Sequence, residues 1–166
     1  MEDSGTPEFC RKPVLILGCG NVLFGDDGFG CAAIEYVQSR CEMPEHVCLL
    51  DGGTGVRKLL FTLLLSAVRP ARLLIIDAVD TGRTPGELVE IRPSELPVKK
   101  LDDFAMHEVP SSNLLEELRR SGMEVRILGC QTGPLPDQIC PGMCGPVEAA
   151  VPKAAEWIAR EYFTRL

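Results

Sequence analysis

The chain has 166 residues, 45% of them hydrophobic and 25% charged, with a formal net charge of −7. That length and composition suit one globular domain over residues 1–166 and exclude a disordered chain. The acidic balance leaves no basic field to gather phosphates, which argues against nucleic acid or an acidic membrane as partner.

The start, MEDSGTPEFCRK, is acidic and polar with no apolar signal core, so a cytoplasmic protein is expected, its eight scattered cysteines reduced. PVLILGCG, Pro13 to Gly20, has the unbroken apolar run of a fully buried strand, ended by glycines. GFGCAAIEYVQSR follows with Ala33, Ile34 and Val37 on one helical face. HVCLLDGG, His46 to Gly53, predicts a second strand, and GVRKLLFTLLLSAV has helical length. Its run Leu59 to Val68 is the longest apolar stretch, yet falls far short of the roughly 20 residues of a membrane helix. RPARLLIIDAV supplies a third strand through Val79, and GELVEIRP alternates like a half-exposed strand at a sheet edge. SSNLLEELRRSG predicts a helix with a serine cap and a glycine stop, and EVRILGCQ another strand. GPVEAAVPKAAEWIAREYFTRL closes the chain as a helix, kinked or restarted at Pro152. Strands alternating with helices indicate an α/β domain whose mostly parallel sheet is covered on both faces.

The turn after the first strand, LILGCGNVLFGDDGFG, resembles a dinucleotide loop and fails as one. Gly18 and Gly20 have the fingerprint spacing, but Leu23 stands where the third glycine belongs. Asp26 and Asp27 precede the helix, where fixed carboxylates would repel a phosphate. One aspartate there is an ordinary helix cap, a role left to Asp26; the second is surplus. Asp51 and Asp77 end the second and third strands, and ligands of parallel sheets sit outside the carboxyl ends of the strands. Any one of these acids serves as a turn former; three from successive strands, flanked by glycine, favour a site.

Of the two histidines, His46 opens a strand and reads as a surface residue, whereas His107 precedes a helix in a loop. Carboxylates alone suit magnesium or calcium, and an added imidazole shifts the choice towards nickel, zinc or manganese. Cys140 and Cys144 have a spacing that can hold zinc, but such a site needs about four ligands, with Cys130 the nearest further thiol. They read as incidental loop thiols, with metal or redox use the lesser alternative. Cys19 and Cys31 fall at core positions, which favours inert packing over nucleophilic chemistry.

In order along the chain, ILGCGNVLFGDDGFG, LLDGGTG, LLIIDAV, MHEVPSSNLL and GPVEAAVPKAAEWI resemble the motifs of the NiFe-hydrogenase maturation endopeptidases, from about Val14 to Trp157. The resemblance is closest to members that process the coenzyme-reducing hydrogenases of methanogens. It implies a three-layer α/β/α sandwich around a twisted, mostly parallel central sheet, phosphorylase/hydrolase-like. It also implies a cytoplasmic endopeptidase of aspartic type that activates the hydrogenase. Such an enzyme removes a C-terminal peptide from the nickel-loaded precursor of the large subunit, its partner, and recognises the nickel already in that substrate. The family's metal-binding and catalytic positions carry over to Asp27, Asp77 and His107. Nickel comes with the precursor, and another divalent metal can stand in its place. Relatives often hold Glu at the first position, so Asp27 reaches one methylene less far. Asp51 is expected to shape its loop or touch substrate. A non-catalytic metal- or precursor-binding chaperone is the rival reading; a nucleotide-binding regulator is disfavoured by the acidic turn.

Overall fold

Val14–Cys19 (β1) is buried at every position, as its unbroken apolar run requires, and it lies second in the sheet. The computed structural model describes residues 5–95 and 112–164. Five strands run in the order β2-β1-β3-β5-β4, with β2 at Val47–Gly53, β3 at Arg72–Val79, β4 at Leu88–Ile91 and β5 at Glu124–Gln131. β1, β2, β3 and β5 pair in parallel. β4 is an antiparallel edge strand on β5, consistent with its half-exposed alternation.

Helices cover both faces. Short α1 (Glu8–Arg11), α3 (Val56–Leu65) and α4 (Ser112–Arg120) lie on one; α2 (Phe29–Arg40) and α5 (Gly145–Ile158) lie on the other. The strand period of two sorts the side chains between these layers. Val14, Ile16, Leu74 and Ile76 meet Phe29, Ile34, Val37, Ala150 and Ala154 in one core. Leu15, Leu17, Leu73 and Ile75 meet Leu60, Leu63, Leu114 and Leu118 in the other. Each buried Leu or Ile contributes about 1.5–3 kcal/mol. The molecule is therefore a three-layer α/β/α sandwich. No described helix is long and apolar enough to cross a membrane.

Two expectations change. α5 runs unbroken through Pro152 and widens into a π turn at Ala159–Phe163 rather than restarting. Pro152 costs one intrahelical hydrogen bond, but Val147, Ala150, Val151, Ala154 and Ala155 keep the helix packed on the sheet. His46 is half-buried, its Nε2 donating to the Tyr162 carbonyl at 3.0 Å, so it ties the end of the chain to β2 instead of standing in solvent.

The approach of α2 to the sheet rests on two glycines. A Cβ on Gly18 would lie 2.5 Å from the Gly30 carbonyl, and one on Gly30 would overlap the carbonyls of Cys19 and Ile76. Gly30, inside the helix, thus performs the close-packing duty of the missing third glycine. Gly30→Ala is expected to push α2 off the strands and destabilise the protein by about 1–3 kcal/mol. The check is a lower urea midpoint at an unchanged denaturant slope.

Candidate active site at the carboxyl edge of the sheet

The turn that leaves β1 is held by its own backbone. Gly20 donates to the Gly53 carbonyl at 3.1 Å, which fastens the turn to the end of β2. There the register skips Gly52, pairing Gly18 with Asp51 and Cys19 with Gly53. Gly20 has φ +130°, and a Cβ would overlap the Asp27 carbonyl, so glycine is required on both counts. The Asn21 amide donates to Asp27 Oδ2 at 2.8 Å, and its carbonyl receives the Phe24 amide at 3.1 Å. Gly25–Gly28 then forms one 3₁₀ turn leading into α2.

Asp26 and Asp27 are both buried, and they serve different partners. Asp26 does not cap α2: Gly28 takes the N-cap position, and no side chain bonds there. Instead the Asp26 carboxylate accepts the Gly133 amide at 2.8 Å, the Cys144 amide at 2.7 Å and the Cys144 thiol at 3.2 Å. Next to it, Cys140 donates to the Leu23 carbonyl at 2.8 Å and accepts from the Gly25 amide at 2.9 Å. The loop after β5 is stitched along the turn after β1, with Asp26 as the central anchor.

Asp77 interrupts the apolar row of Leu73, Ile75 and Val79 near the end of β3. Its Oδ1 accepts the Ala78 amide at 2.8 Å. Burial, with the neighbouring charge of Asp27 added, raises its pKa from 3.8 to about 8, against the lowering effect of the Ala78 bond. The structure therefore brings Asp27 and Asp77 within each other's electrostatic reach. Asp51 is exposed and accepts the Gly53 amide at 2.9 Å, which shapes the β2 turn, while the Cys31 thiol donates to the Gly20 carbonyl at 3.7 Å. Burial, aided by the Asp51 carboxylate and then by Asp77 and Asp27, pushes the Cys31 thiol up to about 12. Cys19 is raised well above its usual value by the same burial and charges, so both thiols keep their protons at neutral pH.

His107 lies outside the described residues. Among those described, no three His, Cys, Asp or Glu side chains gather closely enough to hold a metal ion. Cys130, Cys140 and Cys144 thus form no metal knuckle, and all eight cysteines are free. One organising residue had no sequence signal beyond its place at a strand end. Gln131 is buried at the close of β5, and its Oε1 accepts the amides of Thr81 at 2.8 Å and Arg83 at 3.2 Å. Its Nε2 donates to Asp80 Oδ1 at 3.1 Å, so the loop after β3 also folds around one side chain.

Two outcomes follow from this wiring. Asp26→Ala leaves the amides of Gly133 and Cys144 without their acceptor, and a loss of about 1–3 kcal/mol is expected. Faster amide exchange confined to residues 133–144 is its local signature. Asp77, protonated in the native state after the unfolded chain has lost its proton, contributes stability that is full below about pH 4 and fades as pH rises to about 8. Asp77→Asn, neutral throughout, should therefore gain on the wild type progressively across that window. Urea midpoints measured at successive pH values decide it, and a pH-independent difference would contradict the assignment.

Relatives carry the same architecture and a consistent set of names. A model of the HycI hydrogenase maturation protease family matches residues 31–161. A protein of Methanocaldococcus jannaschii, assigned by name as a hydrogenase maturation protease, is 38% identical over 91% of this chain and 97% of its own. The delta subunit of coenzyme F420 hydrogenase from Methanothermobacter thermautotrophicus is 33% identical over 89% of this chain and 93% of its own. The solution structure of the endopeptidase HycI from Escherichia coli superposes with a TM-score of 0.68 at 27% identity over 86% of each chain. Motif order, sheet topology and these relatives agree that the chain belongs to the hydrogenase maturation protease family and is a peptidase, which sets the chaperone reading aside.

Proposed function

We propose that this peptidase removes a C-terminal peptide from the nickel-loaded precursor of a NiFe-hydrogenase large subunit, reading the substrate's nickel through Asp27, Asp77 and His107. The observation that carries the proposal is the buried acid pair. Burial, with the charge of Asp27 from the 3₁₀ turn after β1 added, opposes ionisation of Asp77 near the end of β3 and lifts it to about 8. A divalent cation between them would relieve that repulsion and displace the proton, and an imidazole would complete a donor set suited to nickel. The similarity to the delta subunit of coenzyme F420 hydrogenase favours a coenzyme-reducing hydrogenase as the source of the precursor. Eight free thiols fit a reducing cytoplasmic compartment.

In this reading the metal belongs to the substrate, and the carboxylates grip it to bring the scissile bond over the sheet edge. Water adds to the peptide carbonyl carbon, polarised by the metal, while a carboxylate takes the water's proton. That proton passes to the amide nitrogen as the C–N bond breaks, releasing the C-terminal peptide as an amine. Cys19 and Cys31 are too firmly protonated to serve as the nucleophile. A precursor without metal offers the acids nothing to hold, so selectivity and positioning share one contact.

Purified protein mixed with nickel-loaded and nickel-free precursor tests this by mass spectrometry of the large subunit. Only the loaded form is expected to shorten, and Asp77→Ala and His107→Ala should each slow cleavage by about 100-fold or more. Equal cleavage of both precursors, or full activity in Asp77→Ala, overturns the proposal.

A further inference from the structure

We propose that the turn after β1 and the loop after β5 together form a rigid apolar shelf on which the hydrogenase precursor docks beside the acid pair. The identity of this occupant rests on the function proposed above. Among the described residues, seven large apolar side chains are exposed, and four of them lie here: Val22 (55% exposed), Leu23 (43%), Leu135 (46%) and Ile139 (68%). The two segments that carry them are joined as one surface. Phe24 and Cys140 form a parallel bridge, bonded from Cys140 to the Leu23 carbonyl and from Gly25 to the Cys140 carbonyl. The ring of Pro136 closes on Gly25, where a Cβ would lie 3.0 Å away.

The shelf is preorganised. The buried Asp26 carboxylate pins the loop near both ends, at Gly133 and Cys144, so Leu135 and Ile139 are presented by a held backbone. Binding to such a surface forfeits little ordering entropy. Exposed apolar side chains on a pinned loop do nothing for the cores, which lie on the two faces of the sheet.

The occupant follows from continuity and charge. The same turn that exposes Val22 and Leu23 holds Asp27 through the Asn21 amide, so the shelf is continuous in backbone with one of the two acids. The rim beyond is acidic, with Asp51 exposed on β2 and Asp137 on the loop itself. A partner that fits presents an apolar stretch flanked by a cation, and a peptidase's protein substrate carrying a metal centre offers both. A second copy of this chain, net −7, would bring a like-charged rim to a rim already acidic. Binding energy gathered away from the reacting bond lets the enzyme hold a large substrate while the acids address only the metal.

The test is cleavage kinetics of the full chain on nickel-loaded precursor over a range of precursor concentrations. Ile139→Asp is expected to raise KM by about tenfold or more while kcat stays within about twofold, the mark of lost uniform binding. Binding of nickel-free precursor to the two proteins, by biolayer interferometry, should weaken in parallel, since the shelf does not address the metal. Should Ile139→Asp lower the urea midpoint, Leu135→Ser on the same shelf supplies the measurement. An unchanged KM overturns the proposal, as does a fall in kcat alone. A wild-type dimer by light scattering that Ile139→Asp dissociates also overturns it, because the shelf then serves a second copy. Failure of nickel reading has a different signature, equal cleavage of loaded and empty precursor by the wild type.

Discussion

Everything at the carboxyl edge depends on how closely α2 presses against β1. With no side chain at Gly18 or Gly30, the first turns of the helix rest on the carbonyls of Cys19 and Ile76. The eight residues left between Gly20 and the helix must then fold into a tight turn, closed by Asn21 and a single 3₁₀ turn. That tightness buries Asp26 and Asp27 at the sheet's edge instead of leaving them in solvent as a flexible acidic loop would. A helix half a side chain further out would leave the same sequence with a cap and a surface charge.

The two adjacent aspartates show how one motif can divide structure from chemistry. Asp26 turns to the loop after β5, where two amides and a thiol satisfy it, so its charge is spent on holding protein together. Asp27 turns to the end of β3 and feels Asp77, whose ionisation is opposed by burial before any neighbour is counted. The first arrangement is a closed account of donors and acceptors. The second is two like charges in one low-dielectric place, a state that favours either a proton or a cation.

Local pattern sufficed for most of the fold. The continuous apolar runs of β1 and β3, the amphipathic α4 and the alternating edge strand β4 each carry their period in a few consecutive residues. The placing of Asp51 and Asp77 at one edge was legible too, because parallel strands must end on the same edge, but only Asp27 comes into the electrostatic reach of Asp77. What was not legible was partnership at a distance. Asp26 meets Gly133 and Cys144 across 107 and 118 residues, and nothing next to it in sequence distinguishes that from a cap. Gln131 gathers Thr81, Arg83 and Asp80 from a loop some 50 residues earlier, again without a local signal. The helix does not restart at Pro152, because packing of both flanking turns outweighs one missing hydrogen bond.

On the proposed reading, shelf and acid pair divide the work of choosing a substrate. Apolar contact at Val22, Leu23, Leu135 and Ile139 has no means of sensing a metal, so it would contribute equally to a loaded and an empty precursor. Discrimination is a difference of affinities and must come from a contact that exists in only one of the two complexes. The buried acids suit that task because water cannot stand in for the cation as it would around an exposed carboxylate. Were they exposed, solvent would screen their repulsion, and losing the metal would cost little. Burial disfavours the doubly ionised pair, so Asp77 keeps its proton until a cation arrives, and on the proposed reading the metal would be felt strongly. Because Asp26 anchors the loop after β5 to the same turn that places Asp27, the proposed docking and metal-dependent grip would be aligned by one short stretch of chain.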